Sequence, residues 1–245
     1  MFKKISLSIL KIIGWLALMF GTQMIGMFIA GFIMTAMGVF DETSLNTLME
    51  ALSQGVSYES IDANILYLLG ELSNYCIIVA FIPYIFILLK NRKKHFKKIP
   101  GKTFIKLLGF GILANFIISI ILVLLTPIIP EGFMNDLNMS TDMASNGNIL
   151  LTALATGIIG PIIEEVTLRR GVYRSLKNFC PVYIALLIQA IIFGIMHGNL
   201  IQGIYAGVLG FIFGLFYETS EENLIVPIIL HITINMTSVL LTVFI

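Results

Sequence analysis

Six polar side chains stand inside or at the edge of long apolar runs: Glu164, Glu165 and Arg169 in "PIIEEVTLRR", His197 in "FGIMHGN", and His231 and Asn235 in "ILHITIN". A carboxylate, two imidazoles and a carboxamide inside apolar runs are groups that can take, give and hold protons, and their cost in such a place makes them worth sorting. Helical spacing sorts them. Glu165 and Arg169 are four residues apart, share a face and form a charge pair. Glu164 points about 100° away from Glu165, so the two do not face one point. Its same-face neighbours, Pro161 and Leu168, offer it nothing polar. It must find a partner on another helix, be protonated, or hold a water. A carboxylate left in such a low-dielectric place suits a general base working near neutral pH. His231 and Asn235, also four apart, lie one turn apart on one face. Two histidines, an asparagine and an unpaired glutamate on three helices make a candidate site, because intramembrane polar residues are costly and mark function.

The elements that position these residues are membrane helices. Of 245 residues 58% are hydrophobic and 12% charged, about half the charge share of a soluble domain. Apolar spans fall at about 8–38, 66–89, 104–127, 148–168, 182–198, 200–217 and 224–245. Most approach or exceed the roughly 20 residues that cross a bilayer. The expected fold is all-α, a polytopic bundle of about seven transmembrane helices with the active site in the last four. Residues 1–147 supply N-terminal helices and loops, and 148–245 the catalytic bundle, within one integral membrane domain. The first span is too long for a signal-peptide core and is read as a helix, tilted or broken between Gly21 and Gly26.

The charges divide by side. Lys3, Lys4 and Lys11, eight basic residues from Lys90 to Lys106, and Arg169, Arg170, Arg174 and Lys177 account for all 15 Lys and Arg. The connections at 41–64 and 131–148 contain acids and no basic residue. The positive-inside rule then sets the N-terminus and the basic connections in the cytoplasm, and puts Glu164 toward the cytoplasmic end of the fourth span. Two difficulties accompany this topology. His197, counted from Pro181, lies roughly 24 Å deep, and "ETSEEN" becomes a cytoplasmic loop with no basic residue.

Other polar positions read as structural. His95, in "RKKHFKK", belongs to a solvated charge cluster; Cys76 and Cys180 lack the spacing of a disulfide or metal motif. Glu71 and Asn74 are interfacial or make helix contacts. Gly203/Gly207 and Gly210/Gly214 let helices of one chain approach closely, and Gly194 and Gly198 would let a substrate backbone come near His197. The run 90–106 attracts anionic lipid headgroups.

Taken in order, EExxxR (Glu164, Glu165, Arg169), FxxxH (Phe193, His197) and HxxxN (His231, Asn235) resemble the motifs of the CPBP, or Abi, intramembrane proteases. That family includes type II CAAX prenyl endopeptidases and bacteriocin-processing or immunity proteins. The likeness covers about residues 148–245. It departs where many members have Phe-Arg-Gly and this chain has Leu168, Arg169 and Arg170. The resemblance implies an endopeptidase acting on a membrane-associated protein or peptide, such as a CAAX protein or a bacteriocin, pheromone or leader precursor. Glu164 would activate water, His197 and Asn235 would stabilise the oxyanion, His231 would help hold the water, and Glu165 and Arg169 would brace the helix. Members are described both as zinc proteases and as metal-free glutamate proteases. A zinc site would use His197 and His231 with Glu164 or Asn235; there is no HExxH, and since Glu164 as a ligand could hardly remain a free base, the reading leans to the metal-free form. The short loops fit a bacterial plasma membrane, no nucleic-acid partner is expected, and the oligomeric state is open. Two other classes remain: a bacteriocin-immunity or binding protein that does not hydrolyse, and a proton-coupled transporter, which the lack of internal symmetry disfavours.

Overall fold

The computed structural model describes residues 2–43, 46, 63–90 and 95–244, and the described residues are helical with no strand. The elements are α1 (Phe2–Ala36), α2 (Ala63–Leu89), α3 (Gly101–Leu125), α4 (Glu131–Asn146), α5 (Ile149–Leu176), α6 (Val182–Ile195), α7 (Leu200–Thr219) and α8 (Ile225–Phe244). Six of them, all but α4 and α6, are long and apolar enough to cross a membrane. The fifth expected span, α6, has 14 residues and extends about 21 Å, short of a roughly 30 Å hydrocarbon core. The chain is an all-α, multi-pass membrane protein.

Local sequence sets the helix boundaries. Pro100, Pro130 and Pro181 stand in extended conformation immediately before α3, α4 and α6, so each helix begins where the proline leaves off. Asn148 caps α5 by accepting from the amides of Leu150 and Leu151, and Asn199 caps α7 by accepting from Gln202. Of the two alternatives for the first span, the break is not found: α1 runs unbroken through Gly21 and Gly26, and Gly26 lets the Cys76 carbonyl of α2 come close. The 131–148 connection, read as a polar loop, holds α4. Gly70 of α2 permits that packing, since a Cβ there would stand 2.2 Å from the Met143 carbonyl oxygen. Most of the 41–64 connection, and Arg92, Lys93 and Lys94 of the basic run, lie outside the described residues.

Helix α5 occupies the centre, packed against α1, α2, α6, α7 and α8, while Phe28, Phe32, Leu124 and Ile195 face outward as a lipid-facing surface should. Two stretches of α5, Ala153–Ile159 and Val166–Tyr173, are π-helical, and Pro161, which has no N–H to give, sits between them. Glu164 and Glu165 end the short α-helical piece that separates these wide turns. Tyr84 of α2, fully buried, bonds its hydroxyl to Thr167 at 2.8 Å and ties α2 to the second π-turn. At the far end of α5, buried Glu71 accepts from the Asn148 amide at 2.6 Å and Asn74 donates to Thr152 at 3.0 Å. These two polar residues therefore anchor the start of α5.

The acidic loop between α7 and α8 lies with the basic segments. Glu222 pairs with Arg174 at 2.9 Å, Glu218 and Glu222 pair with Lys177 at 2.6 and 3.1 Å, and Glu221 pairs with Lys97 at 2.8 Å. The loop needs no basic residue of its own, because other segments supply them. Burial alone would lower the Lys177 pKa, but hydrogen bonds to these carboxylates outweigh it and hold the ammonium above its ordinary value. Glu221 and Glu222 both take positive φ, 55° and 57°, a region that costs a residue with a Cβ. His95 is a correction: it is buried rather than solvated, and its carbonyl accepts from the Leu224 amide.

Candidate active site

Glu165 is completely buried, and its carboxylate takes both arms of Arg169: Nε donates to Oε2 at 2.7 Å and Nη2 to Oε1 at 3.0 Å. The i,i+4 pair expected from spacing is therefore a bidentate fork with neither member exposed. Such a pair holds together because each charge is answered; removal of either partner leaves the other bare in a low-dielectric interior.

His231 of α8 joins the two glutamates. Its Nδ1 lies 3.1 Å from Glu165 Oε1 and its Nε2 3.5 Å from Glu164 Oε2. Adjacent carboxylates 100° apart cannot meet one atom, but they reach one imidazole from opposite sides. Glu164, whose side chain is 25% exposed, is the more open of the two. Its partner comes from another helix, one of the three outcomes its position required. Since Glu165 is held as a carboxylate by Arg169, it only accepts, and the His231 nitrogen facing it carries the proton. The remaining nitrogen and Glu164 then meet as two lone-pair groups unless one proton or one water is shared between them.

Aromatic rings wall this layer. Phe213 stacks on His231 with centroids 4.9 Å apart, and Phe193 meets His231 and His197 edge-on at 5.6 and 4.7 Å. The Arg169 guanidinium lies 5.6 and 5.8 Å from the Phe193 and Phe213 rings. His197 sits in the turn after α6, half-buried, with Nδ1 2.8 Å from the Phe193 carbonyl, which can only accept; Nδ1 therefore donates. Asn235, one turn beyond His231, donates to the Thr156 carbonyl in the first π-turn at 3.1 Å. The structure thus brings Glu164, Glu165, Arg169 and His231 into direct contact, sets His197 beside them through Phe193, and turns one Asn235 amide hydrogen to the backbone.

The alternative zinc set, His197 and His231 with Glu164 or Asn235, is not assembled. Among the described residues no group of three or more His, Cys, Asp or Glu is arranged to hold a metal ion. Both nitrogens of His231 face carboxylates, and Asn235 is engaged with Thr156. As arranged, these residues do not fit a zinc centre.

Glycines shape the walls. A Cβ at Gly194 would meet the Gly203 carbonyl oxygen at 2.5 Å, so Gly194 lets α6 and α7 approach closely. Gly198, with φ +76°, has open space around its missing Cβ. A Cβ at Gly210 would strike the Phe193 ring at 2.6 Å and one at Gly214 the Gln189 amide at 2.7 Å. The small-residue stripe of α7 therefore serves packing within the chain, as its spacing implied, and makes room for site side chains. Two contributors were missed in the sequence. Phe213 gave no signal in a run of phenylalanines; Gln189 is a polar residue inside the apolar run "IALLIQAIIFG" and could have been singled out on that ground.

Residues 146–237, which carry every side chain of this cluster, match the family described as Type II CAAX prenyl endopeptidase Rce1-like. The Bacillus subtilis (strain 168) protein named "Putative membrane peptidase YdiL" is 32% identical over 85 residues, 35% of this chain and 34% of that relative. The chain thus spans about a third of the length of the curated relative it matches. No solved structure matches. By its motifs and by the match over residues 146–237, this part of the chain is similar to the Rce1-like type II CAAX prenyl endopeptidases of the CPBP family.

Proposed function

We propose that the protein is an intramembrane endopeptidase that hydrolyses a peptide bond of a membrane-associated protein or peptide, with Glu164 as the base that activates water. The observation that carries this reading is the Glu164 carboxylate: partly exposed, inside a membrane helix, and 3.5 Å from an imidazole whose other nitrogen is held by a buried carboxylate. The Rce1-like match over the same residues supports it.

The chemistry balances with these groups alone. A water held between Glu164 and His231 gives a proton to Glu164 as its oxygen bonds to the peptide carbonyl carbon. The carbonyl electron pair moves to oxygen, where His197 in its protonated form and the second amide hydrogen of Asn235 donate to it. The C–N bond then breaks, and Glu164 returns its proton to the leaving amine. Glu165 and Arg169 do not touch the substrate; they hold His231 and the helix. The fitting substrates are bacteriocin, pheromone or leader precursors, or CAAX-type proteins, in a bacterial plasma membrane. The N-terminus is cytoplasmic in this account, and the basic run 90–106 lies against anionic headgroups.

The test is cleavage of a quenched-fluorescent membrane-peptide library by purified wild type and Glu164→Gln, each with and without chelator. The expected result is cleavage by wild type in chelator and a loss in the variant on the order of 10²–10⁴-fold. No cleavage by wild type, with biological function kept in Glu164→Gln, would favour an immunity or binding protein instead.

A further inference from the structure

Gln189 is fully buried in the middle of α6, an unusual place for a carboxamide in a membrane helix, and both ends of its amide are engaged. Its Nε2 donates to the Leu186 carbonyl and to the Gly210 carbonyl of α7, both at 2.9 Å. Its Oε1 accepts from Arg169 Nη1. The orientation of the amide follows from chemistry: two carbonyls accept and a guanidinium only donates, so the NH2 end must face the carbonyls and the oxygen must face Arg169. Gly214 leaves the space Gln189 fills, since a Cβ there would stand 2.7 Å from Nε2.

A chain of bonds runs onward from it. Arg169 is gripped by Gln189 on one side and by the Glu165 fork on the other. Glu165, its orientation set by that fork, turns Oε1 to His231 Nδ1. The ring nitrogen left to face Glu164 is therefore decided three residues away. We propose that Gln189 is a positioning residue: through Arg169 and Glu165 it fixes His231 as the Nδ1–H tautomer, with Nε2 turned to Glu164. The consequence for rate rests on the endopeptidase reading; the tautomer does not.

The competing account is that Gln189 only staples α6 to α7 through Gly210. Two variants separate these roles. Gln189→Met keeps the shape and loses every bond, whereas Gln189→Glu keeps an acceptor for Arg169 and loses the donors to Leu186 and Gly210. The chain has three histidines, His95, His197 and His231. Selective nitrogen-15 labelling of histidine in lipid nanodiscs, assigned by single His→Gln replacements, therefore reads the tautomer of His231 directly. The expected result is one Nδ1–H state in wild type, a mixture of tautomers in Gln189→Met, and a near wild-type spectrum in Gln189→Glu. With a cleavable peptide, Gln189→Met should lower kcat by about tenfold with little change in KM, part of the roughly 10²–10⁴ that a positioned acid or base contributes.

An unchanged His231 spectrum in folded Gln189→Met would overturn the proposal, as would equal loss in both variants. If Gln189→Met does not fold, a folded Gln189→Glu with mixed tautomers overturns it and one with the wild-type spectrum sustains it. A wild type that cleaves nothing but whose His231 tautomer depends on Gln189 would refute the endopeptidase reading and leave this inference standing.

Discussion

Replacing Arg169 by methionine keeps much of the length of the side chain and removes the charge that answers Glu165. Glu165 is fully buried and accepts from Arg169 Nε and Nη2 and from His231 Nδ1, so the change leaves it one donor of three and no cation. Breaking one side of a buried ion pair costs about 3–5 kcal/mol, because the survivor is an uncompensated charge. Gln189 loses its donor in the same stroke. The neutral double variant, Arg169→Met with Glu165→Gln, should be more stable than Arg169→Met alone, since it strands no charge. The assay is built into the chain: Trp15 is the single tryptophan, and its indole lies against Gly171, two residues from Arg169. Titration with SDS in mixed micelles, read by Trp15 fluorescence, should give the order wild type, double variant, single variant. An Arg169→Met protein within about 1 kcal/mol of wild type, or a double variant that loses the sum of both single changes, would refute the reasoning.

Other consequences are open to the same assay. Gly171→Ala would set a Cβ 2.4 Å from the Trp15 ring; displacement of the rigid indole should cost about 1–3 kcal/mol and shift the folded-state emission, and an unchanged spectrum would contradict that contact. Glu71→Leu leaves the Asn148 amide at the start of α5 unpaired, at a cost of about 1–3 kcal/mol; wild-type stability would show that the anchor is dispensable. Lys177 has a folded pKa above its ordinary value of 10.5, so its stabilisation is complete below that value and lost as pH rises through the folded pKa. Lys177→Met should therefore fall short of wild type by the same margin at about pH 7 and pH 9, and a gap already closed at the higher pH would exclude the assigned cause.

What was legible in the sequence is what depends on one helix at a time. Glu165 and Arg169 meet because four residues make about one turn of a helix. What was not legible depends on how helices register against one another. Nothing local says that α8 sets His231 between Glu164 and Glu165, since that follows from where two separate helices cross. The π-turns flanking the glutamates leave no periodic signature, although Pro161 marks a disturbance there. His95 looked solvated because its neighbours in sequence are lysines, yet the α7–α8 loop folds over it and takes its carbonyl. Segment α4 looked like a loop because most of its residues are polar, but Gly70 and Pro130 permit a helix that packs on α2.

The central claim is that a water activated by Glu164 attacks a peptide bond, and oxygen tracing addresses it without assuming a substrate name. A peptide cleaved by the wild-type protein in liposomes would be processed in a single turnover in water enriched in oxygen-18, beside Glu164→Gln, and the new C-terminus read by mass spectrometry. The account predicts one oxygen-18 atom in the new carboxyl group with wild type and no product with Glu164→Gln over the same time. Product from Glu164→Gln at the wild-type rate, or a wild-type product whose new terminus carries no oxygen-18, would contradict it.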